Sequence, residues 1–232
     1  MIRKILYAGW LGCVTACAGG DHARDRRGAA DARSASAAHV TRDTTPVVLF
    51  LGTSLTAGLG VDPVEAYPAL IARRVDSLGL GFRVVNAGLS GETSAGGLRR
   101  IAWLLRQPVR VLVIELGAND ALRGHDLAAT RRNLQAIIDS AQRRDPRTVI
   151  VLAGMEAPPN LGASYTREFR ALFPALARTN SAALIPFLLE GVGGNFDLNQ
   201  PDAIHPTAEG HRVMAETVWR VLEPVLRAAR QR

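Results

Sequence analysis

Residues 46–58 read Pro46-Val47-Val48-Leu49-Phe50-Leu51-Gly52-Thr53-Ser54-Leu55-Thr56-Ala57-Gly58, and this stretch decides the fold. Five large apolar residues run without a polar break and stop at a glycine. A half-exposed strand would alternate, so the run indicates a short strand covered on both faces. Four comparable runs follow at Phe82–Ala87, Val109–Leu116, Thr148–Ala153 and Ala182–Phe187. Between them lie segments with helical spacing, Tyr67–Leu78, Gly97–Leu105, Leu127–Arg143 and Tyr165–Ala177, and a last helix is expected over about Thr207–Ala229. In Leu127–Arg143 the apolar residues Leu127, Leu134, Ile137, Ile138 and Ala141 share one face, opposite Arg131, Arg132 and Gln135. Strands alternating with helices call for a parallel sheet between two helical layers. The expected fold is therefore one α/β domain over residues 46–232, a three-layer α/β/α sandwich on a five-stranded parallel sheet. Ligands of such sheets bind at the carboxyl ends of the strands, so the loops beginning at Gly52, Ala87, Leu116, Ala153 and Phe187 should carry the chemistry.

Ahead of this domain the chain changes character. Arg3 and Lys4 precede the apolar stretch Ile5–Val14 and then small residues, the pattern of a secretory signal. Val14-Thr15-Ala16-Cys17 resembles a bacterial lipobox, in which the cysteine thiol takes a diacylglycerol. Residues 1–17 are thus expected to be a signal peptide with lipobox, and Cys17 the lipidated residue. The mature protein would be lipid-anchored in the periplasm or at the outer membrane of a Gram-negative bacterium. The alternative is an ordinary signal cut near Ala16 or Ala18, giving a soluble periplasmic or secreted protein. Residues 18–45 are rich in Ala, Arg, Asp and Ser, with Val40 the one large aliphatic residue. They cannot bury enough surface to offset their ordering entropy, and read as a disordered linker.

Composition narrows the chemistry. Cys13 and Cys17 are the only cysteines, so the domain has no thiol nucleophile, disulfide or cysteine zinc site. The net charge of +7 raises nucleic acid as a partner, but seven Lys and Arg against four acidic residues lie in positions 1–45. The rest is spread as arginine pairs suited to solvated helix faces, and no nucleic-acid partner is expected.

The expected loops hold most of the reactive side chains. Gly52-Thr53-Ser54 places a serine where a strand turns toward a helix; alone it reads more readily as a helix cap than as a nucleophile. Asp202-Ala203-Ile204-His205-Pro206 changes the balance, because a carboxylate three residues from an imidazole can fix its tautomer, and an imidazole can take a serine proton. Of the other histidines, His22 and His39 lie in the linker, His211 sits inside the last helix as a packing or surface residue, and His125 either lines a pocket rim or is simply exposed. Asn86–Thr93 and Glu115–Asp120 follow the second and third strands, and offer the Gly91 N–H and the Asn119 amide as donors to a developing oxyanion, beside the N–H of Ser54.

The four blocks Gly52–Gly58, Asn86–Gly97, Glu115–Gly124 and Asp202–Pro206, with Pro158-Pro159-Asn160-Leu161-Gly162, resemble SGNH hydrolases of the GDSL-lipase type. The similarity is greatest to the bacterial periplasmic arylesterase, thioesterase and lysophospholipase group. It implies a flavodoxin-like architecture and a serine ester hydrolase acting through an acyl-enzyme, with aryl esters, lysophospholipids and acyl thioesters as substrates, and no metal or cofactor. Ser54 would be the nucleophile, His205 the base, Asp202 its orienter, and Ser54, Gly91 and Asn119 the oxyanion donors. The acyl pocket is expected at Leu122, Met155, Pro158 and Leu161, and the protein is expected to be a monomer. Thr53 stands where the family name places Asp. Two other readings share these residues: a carbohydrate acetylesterase, and a non-catalytic lipoprotein on a degenerate hydrolase fold.

Overall fold

A computed structural model of the protein describes residues 44–231. Strand β1, Val47–Gly52, pairs in parallel with β2, Arg83–Gly88, on one side and with β3, Val109–Glu115, on the other. Beyond β3 lie β4, Val149–Ala153, and β5, Ala183–Ile185, so the sheet runs β2-β1-β3-β4-β5 with every pairing parallel. All six residues of β1 and all seven of β3, its Arg110 and Glu115 included, are buried, as central strands of a sheet covered on both faces require. The expected three-layer α/β/α sandwich is borne out. Among the described residues no helix is long and apolar enough to cross a membrane.

Helices α2, Tyr67–Ser77, and α7, Ala208–Arg230, pack together on one face; α3, Ser94–Leu104, α5, Leu127–Arg144, and α6, Ala163–Thr179, cover the other. Two one-turn helices, α1 at Ser54–Ala57 and α4 at Ala118–Leu122, follow β1 and β3 directly. On α5 the buried residues are Thr130, Leu134, Ile137, Ile138 and Ala141, the expected apolar stripe with a threonine added.

Three differences from the sequence expectation have physical causes. Strand β2 is only partly buried, because it is the sheet edge and has a neighbour on one side only. Strand β5 ends at Ile185, where Pro186 supplies no N–H to continue the ladder. Helix α3 starts at Ser94, three residues before the expected Gly97, with the Thr93 hydroxyl accepting the Gly96 N–H at 3.2 Å. Gly97, the expected first residue, permits close packing: a Cβ on it would lie 2.4 Å from Leu116 Cδ1.

The strand order sets where a ligand can sit. From β1 the chain crosses to β2 on one side, whereas β3 leads away to β4 on the other. The connections diverge at the carboxyl ends of β1 and β3 and open a crevice there. Gly88, at the end of β2, allows the turn after β1 to reach this crevice, since a Cβ on it would lie 2.2 Å from the Ala57 backbone nitrogen. The Asn86 side chain ties the same turn down by donating to Thr56 O at 2.8 Å. Gly88→Ala is therefore expected to cost about 2 kcal/mol through overpacking against rigid backbone, read as a lowered urea midpoint with an unchanged slope.

Candidate active site

The turn after β1 begins with Thr53 in extended backbone, capping α1, and makes Ser54 the first helical residue. Gly58, at φ 78°, ends that helix with its N–H on Ser54 O. Beneath the turn lies Glu115, the last residue of β3, with no exposed surface. Its Oε2 accepts the Thr53 N–H and the Thr56 hydroxyl, each at 2.8 Å, and the Thr53 hydroxyl donates to the carboxylate from 3.0 Å to either oxygen. Thr56 in turn meets the buried Tyr67 hydroxyl at 2.8 Å. Burial pushes the Glu115 carboxyl up to about 7, against the lowering effect of the hydrogen bonds from Thr53 and Thr56. Burial also raises the Tyr67 phenol above its ordinary range, with the Glu115 charge adding to it.

The loop before α7 brings the other two groups. His205 Nε2 stands 2.9 Å from Ser54 Oγ, and Nδ1 stands 2.6 Å from Asp202 Oδ2. With the proton on Nδ1, the ring donates to the carboxylate and accepts from the serine. Asp202 Oδ1 also accepts the N–H groups of Ile204 and His205, both at 3.0 Å, and these bonds with that from the imidazole hold its carboxyl well below the usual range. Asp202 thus stays ionised through mildly acid conditions. Ala203 takes a left-handed conformation at φ 57° to close this loop, and Gln200 clamps it, donating its N–H to His205 O at 2.7 Å and its amide to Leu59 O and Pro206 O. His211 is fully buried, and desolvation by burial, followed by the repulsion of His205, pushes it down to about 4; it stays neutral, with Nδ1 accepting the Tyr67 N–H.

The segments after β2 and β3 are laced to each other. The Asn119 amide donates to Glu92 O at 3.0 Å, Arg123 donates to Gly91 O at 2.9 Å, and the buried Asp120 accepts the Ser94 N–H and hydroxyl at 2.8 and 2.6 Å. Glu92 is paired with Arg100. Among the described residues neither the Ser54 N–H nor the Gly91 N–H has an internal partner, and one Asn119 amide hydrogen is likewise left over.

A cleft of about 450 Å³ opens at Ser54 and His205. Asn119, Leu122, Met155 and Pro158 line it with them, whereas Leu161 packs against the hydrophobic core from a short 3-10 turn and is not in the lining. Gly91 lies outside the lining, in the neighbouring loop. His125 is half-exposed, is not in the lining either, and faces Asp120 at 3.8 Å. The wall formed by Leu189, Gly193 and Gly194 after β5 was missed in the sequence, because glycines in a long loop carry no reactive group. Glu115 was missed as a site residue although a signal existed: it is a carboxylate at the end of an otherwise largely apolar strand. Among the described residues no group of three or more His, Cys, Asp or Glu side chains could hold a metal ion.

A serine, an imidazole and a carboxylate in line at the switch point of a parallel α/β sheet define the class of α/β serine hydrolases. Comparison with known proteins agrees. Residues 50–213 match the GDSL-like Lipase/Acylhydrolase family, and the chain belongs to it. It is 40% identical to esterase TesA of Pseudomonas aeruginosa over 180 residues, 77% of this chain and 89% of that one. Over the same length it is 33% identical to thioesterase 1/protease 1/lysophospholipase L1 of Escherichia coli K12, covering 84% of that protein. An arylesterase of Vibrio mimicus is 35% identical over 74% of this chain and 85% of its own. Among solved structures, TesA superposes with a TM-score of 0.73 over 77% of this chain and 98% of its own. Esterase EstA from Pseudoalteromonas, 30% identical, gives 0.74 over 78% and 98%. The expected class, a carboxylic ester hydrolase, is borne out.

The buried Glu115 makes stability depend on pH. Its native value of about 7 exceeds the ordinary 4.5, so between these values the folded chain binds more protons than the unfolded one. The contribution is full below about pH 4.5 and is lost as pH rises through 7. A shift of this size corresponds to roughly 3 kcal/mol. Glu115→Gln should remove that slope and gain stability at pH 8 relative to the wild type, as measured by urea unfolding at pH 5 and pH 8.

Proposed function

We propose that Ser54, His205 and Asp202 form the catalytic triad of a two-step acyl transfer on carboxylic esters, and that the cleft beside them takes the acyl chain. The observation that carries this reading is the unbroken chain Ser54 Oγ, His205 Nε2, His205 Nδ1, Asp202 Oδ2, with separations of 2.9 and 2.6 Å at the mouth of that cleft. His205 takes the Ser54 proton as Oγ bonds to the carbonyl carbon, and Asp202 stabilises the imidazolium. The carbonyl oxygen becomes an anion facing the Ser54 N–H, the Gly91 N–H and the spare Asn119 amide hydrogen, the donors that the fold leaves unused. Collapse expels the alcohol or thiol leaving group with the proton from His205, and water, activated by the same imidazole, releases the acid.

Leu122, Met155 and Pro158 give the cleft an apolar wall suited to acyl chains longer than acetyl, which favours lipid-like and aryl esters over acetylated sugars. The names of the relatives support aryl esters, lysophospholipids and acyl thioesters as the substrate range. The expected signal peptide with lipobox and the linker fall on residues outside those described, apart from the linker's last two positions. Our reading keeps the signal peptide at 1–17, lipidated Cys17 as a membrane anchor, a tether over 18–45, and the hydrolase domain, acting as a monomer, at 46–232 in the periplasm or at the outer membrane.

Ser54→Ala should abolish hydrolysis of p-nitrophenyl butyrate, and turnover retained by that variant would sink the assignment. Asn119→Ala should lower kcat on the order of 100-fold with a smaller change in KM, as for loss of one oxyanion donor. If Cys17 carries the anchor, Cys17→Ser should move the enzyme from the membrane fraction to the soluble periplasmic fraction and abolish labelling by radioactive palmitate.

A further inference from the structure

Glu115 is a charged group whose burial stability does not explain. It is fully buried at the end of β3, and its hydrogen bonds come from neutral donors: the N–H and hydroxyl of Thr53 and the hydroxyl and N–H of Thr56. No salt bridge reaches it among the described residues. Taking a carboxylate out of water without a countercharge costs free energy that an amide or apolar residue would not. The donors, however, all belong to the turn that carries Ser54. Two bracket the serine, one residue before it and two residues after it. The space is closed to alternatives, since a Cβ on Gly52 would lie 2.6 Å from Glu115 Oε2 and 2.0 Å from Thr56 Oγ1. Tyr67 extends the support through Thr56 to α2, so the turn is held from the sheet and from a helix together.

Resting on the assignment of Ser54 as nucleophile, we propose that Glu115 is a positioning residue for the reaction: its carboxylate holds the Thr53–Thr56 turn in the arrangement that aims the Ser54 hydroxyl at His205 and leaves the Ser54 N–H free for the oxyanion. It touches no reacting atom. Hydrogen bonds to an ionised acceptor are about twice as strong as neutral ones, and a misplacement near 1 Å at a reacting group can cost about 100-fold in rate. Because Thr53 N–H and both threonine hydroxyls are spent on Glu115, the serine N–H is the donor that remains for chemistry.

The test compares Glu115→Gln, Thr56→Val and Thr56→Ser in the full-length chain, with p-nitrophenyl butyrate as substrate at pH 8 and urea unfolding alongside. Glu115→Gln should lower kcat by about tenfold or more, with KM within twofold and no loss of stability. Thr56→Val should lower kcat in the same way, and Thr56→Ser, which restores the hydroxyl, should recover most of it. The rate of labelling by a fluorophosphonate probe should follow kcat. A structural role alone would instead lower activity only in step with stability. Glu115→Gln turning over within twofold of the wild type would overturn the proposal. If Glu115→Gln does not fold, full activity in a folded Thr56→Val overturns it, and a kcat loss rescued by Thr56→Ser upholds it. Ser54→Ala, measured in parallel, separates the two questions: turnover in that variant refutes the nucleophile assignment, whereas an inert Ser54→Ala with a fully active Glu115→Gln refutes only the role of Glu115.

Discussion

The parallel pairing of β1 with β3 is the constraint on which the rest of the molecule depends. It sets Gly52 opposite Glu115, so the two central strands end side by side and their chains then part toward opposite edges of the sheet. The parting creates the crevice, and everything chemical is delivered to it from the loops around. β1 supplies Ser54, the segment after β3 supplies Asn119, and the loop after β5 returns across the top to supply Asp202 and His205. No single element carries two of the proposed catalytic groups except the loop that holds Asp202 and His205 together. Precision must therefore come from cross-links between loops, and Gln200, Arg123, Asn86 and Asn119 each supply one by donating to a backbone carbonyl of another segment.

Strand β3 carries a buried charge near each end, and the two are treated alike chemically but differ in consequence. At the entry end Arg110, also buried, donates to Arg147 O at 2.8 Å and more weakly to Ala229 O at the carboxyl end of α7. Carbonyls at a helix terminus carry partial negative charge, and the Asp145 carboxylate adds its attraction to the cation. At the exit end Glu115 is satisfied by N–H and O–H groups without a cation. The arginine pins the last helix to the sheet on the side away from the crevice, which is architecture. The glutamate pins the turn that bears Ser54, the proposed nucleophile.

The fold was legible in the sequence to the extent that burial writes itself as apolar runs. β1, β3 and β4 are central; β1 and β4 appear as unbroken hydrophobic stretches and β3 as one interrupted by Arg110, whereas β2 lies at the edge, where exposure cannot be inferred from a run of similar composition. α1 and α4 span four and five residues, too few for a 3.6-residue period to show, and both sit where the chemistry is. The Ser, His and Asp were recoverable because a domain without cysteine and with three histidines offers few ways to activate a nucleophile. Glu115 and the wall at Leu189, Gly193 and Gly194 were not, since their roles arise from what lies across the sheet or cleft from them, a relation that spacing along the chain does not encode.

Thr53 is the chain's departure from the pattern that gives the family its name, and the hydrogen bonding accounts for its place in the turn. Its hydroxyl lies 3.0 Å from both oxygens of Glu115. An aspartate in that position would set a second carboxyl against the first with no cation to separate them, and such a pair can be accommodated only if one member keeps a proton. Threonine supplies the same cap to α1 through its accepted bond from the Leu55 N–H, and adds a donor where aspartate would add a charge. The substitution therefore leaves Glu115 as the one carboxyl under the nucleophile turn, and the turn keeps its hydrogen-bonded shape without a shared proton. Above it Ser54 and His205 stand 2.9 Å apart, so the altered residue changes the support of the turn and leaves that contact in place.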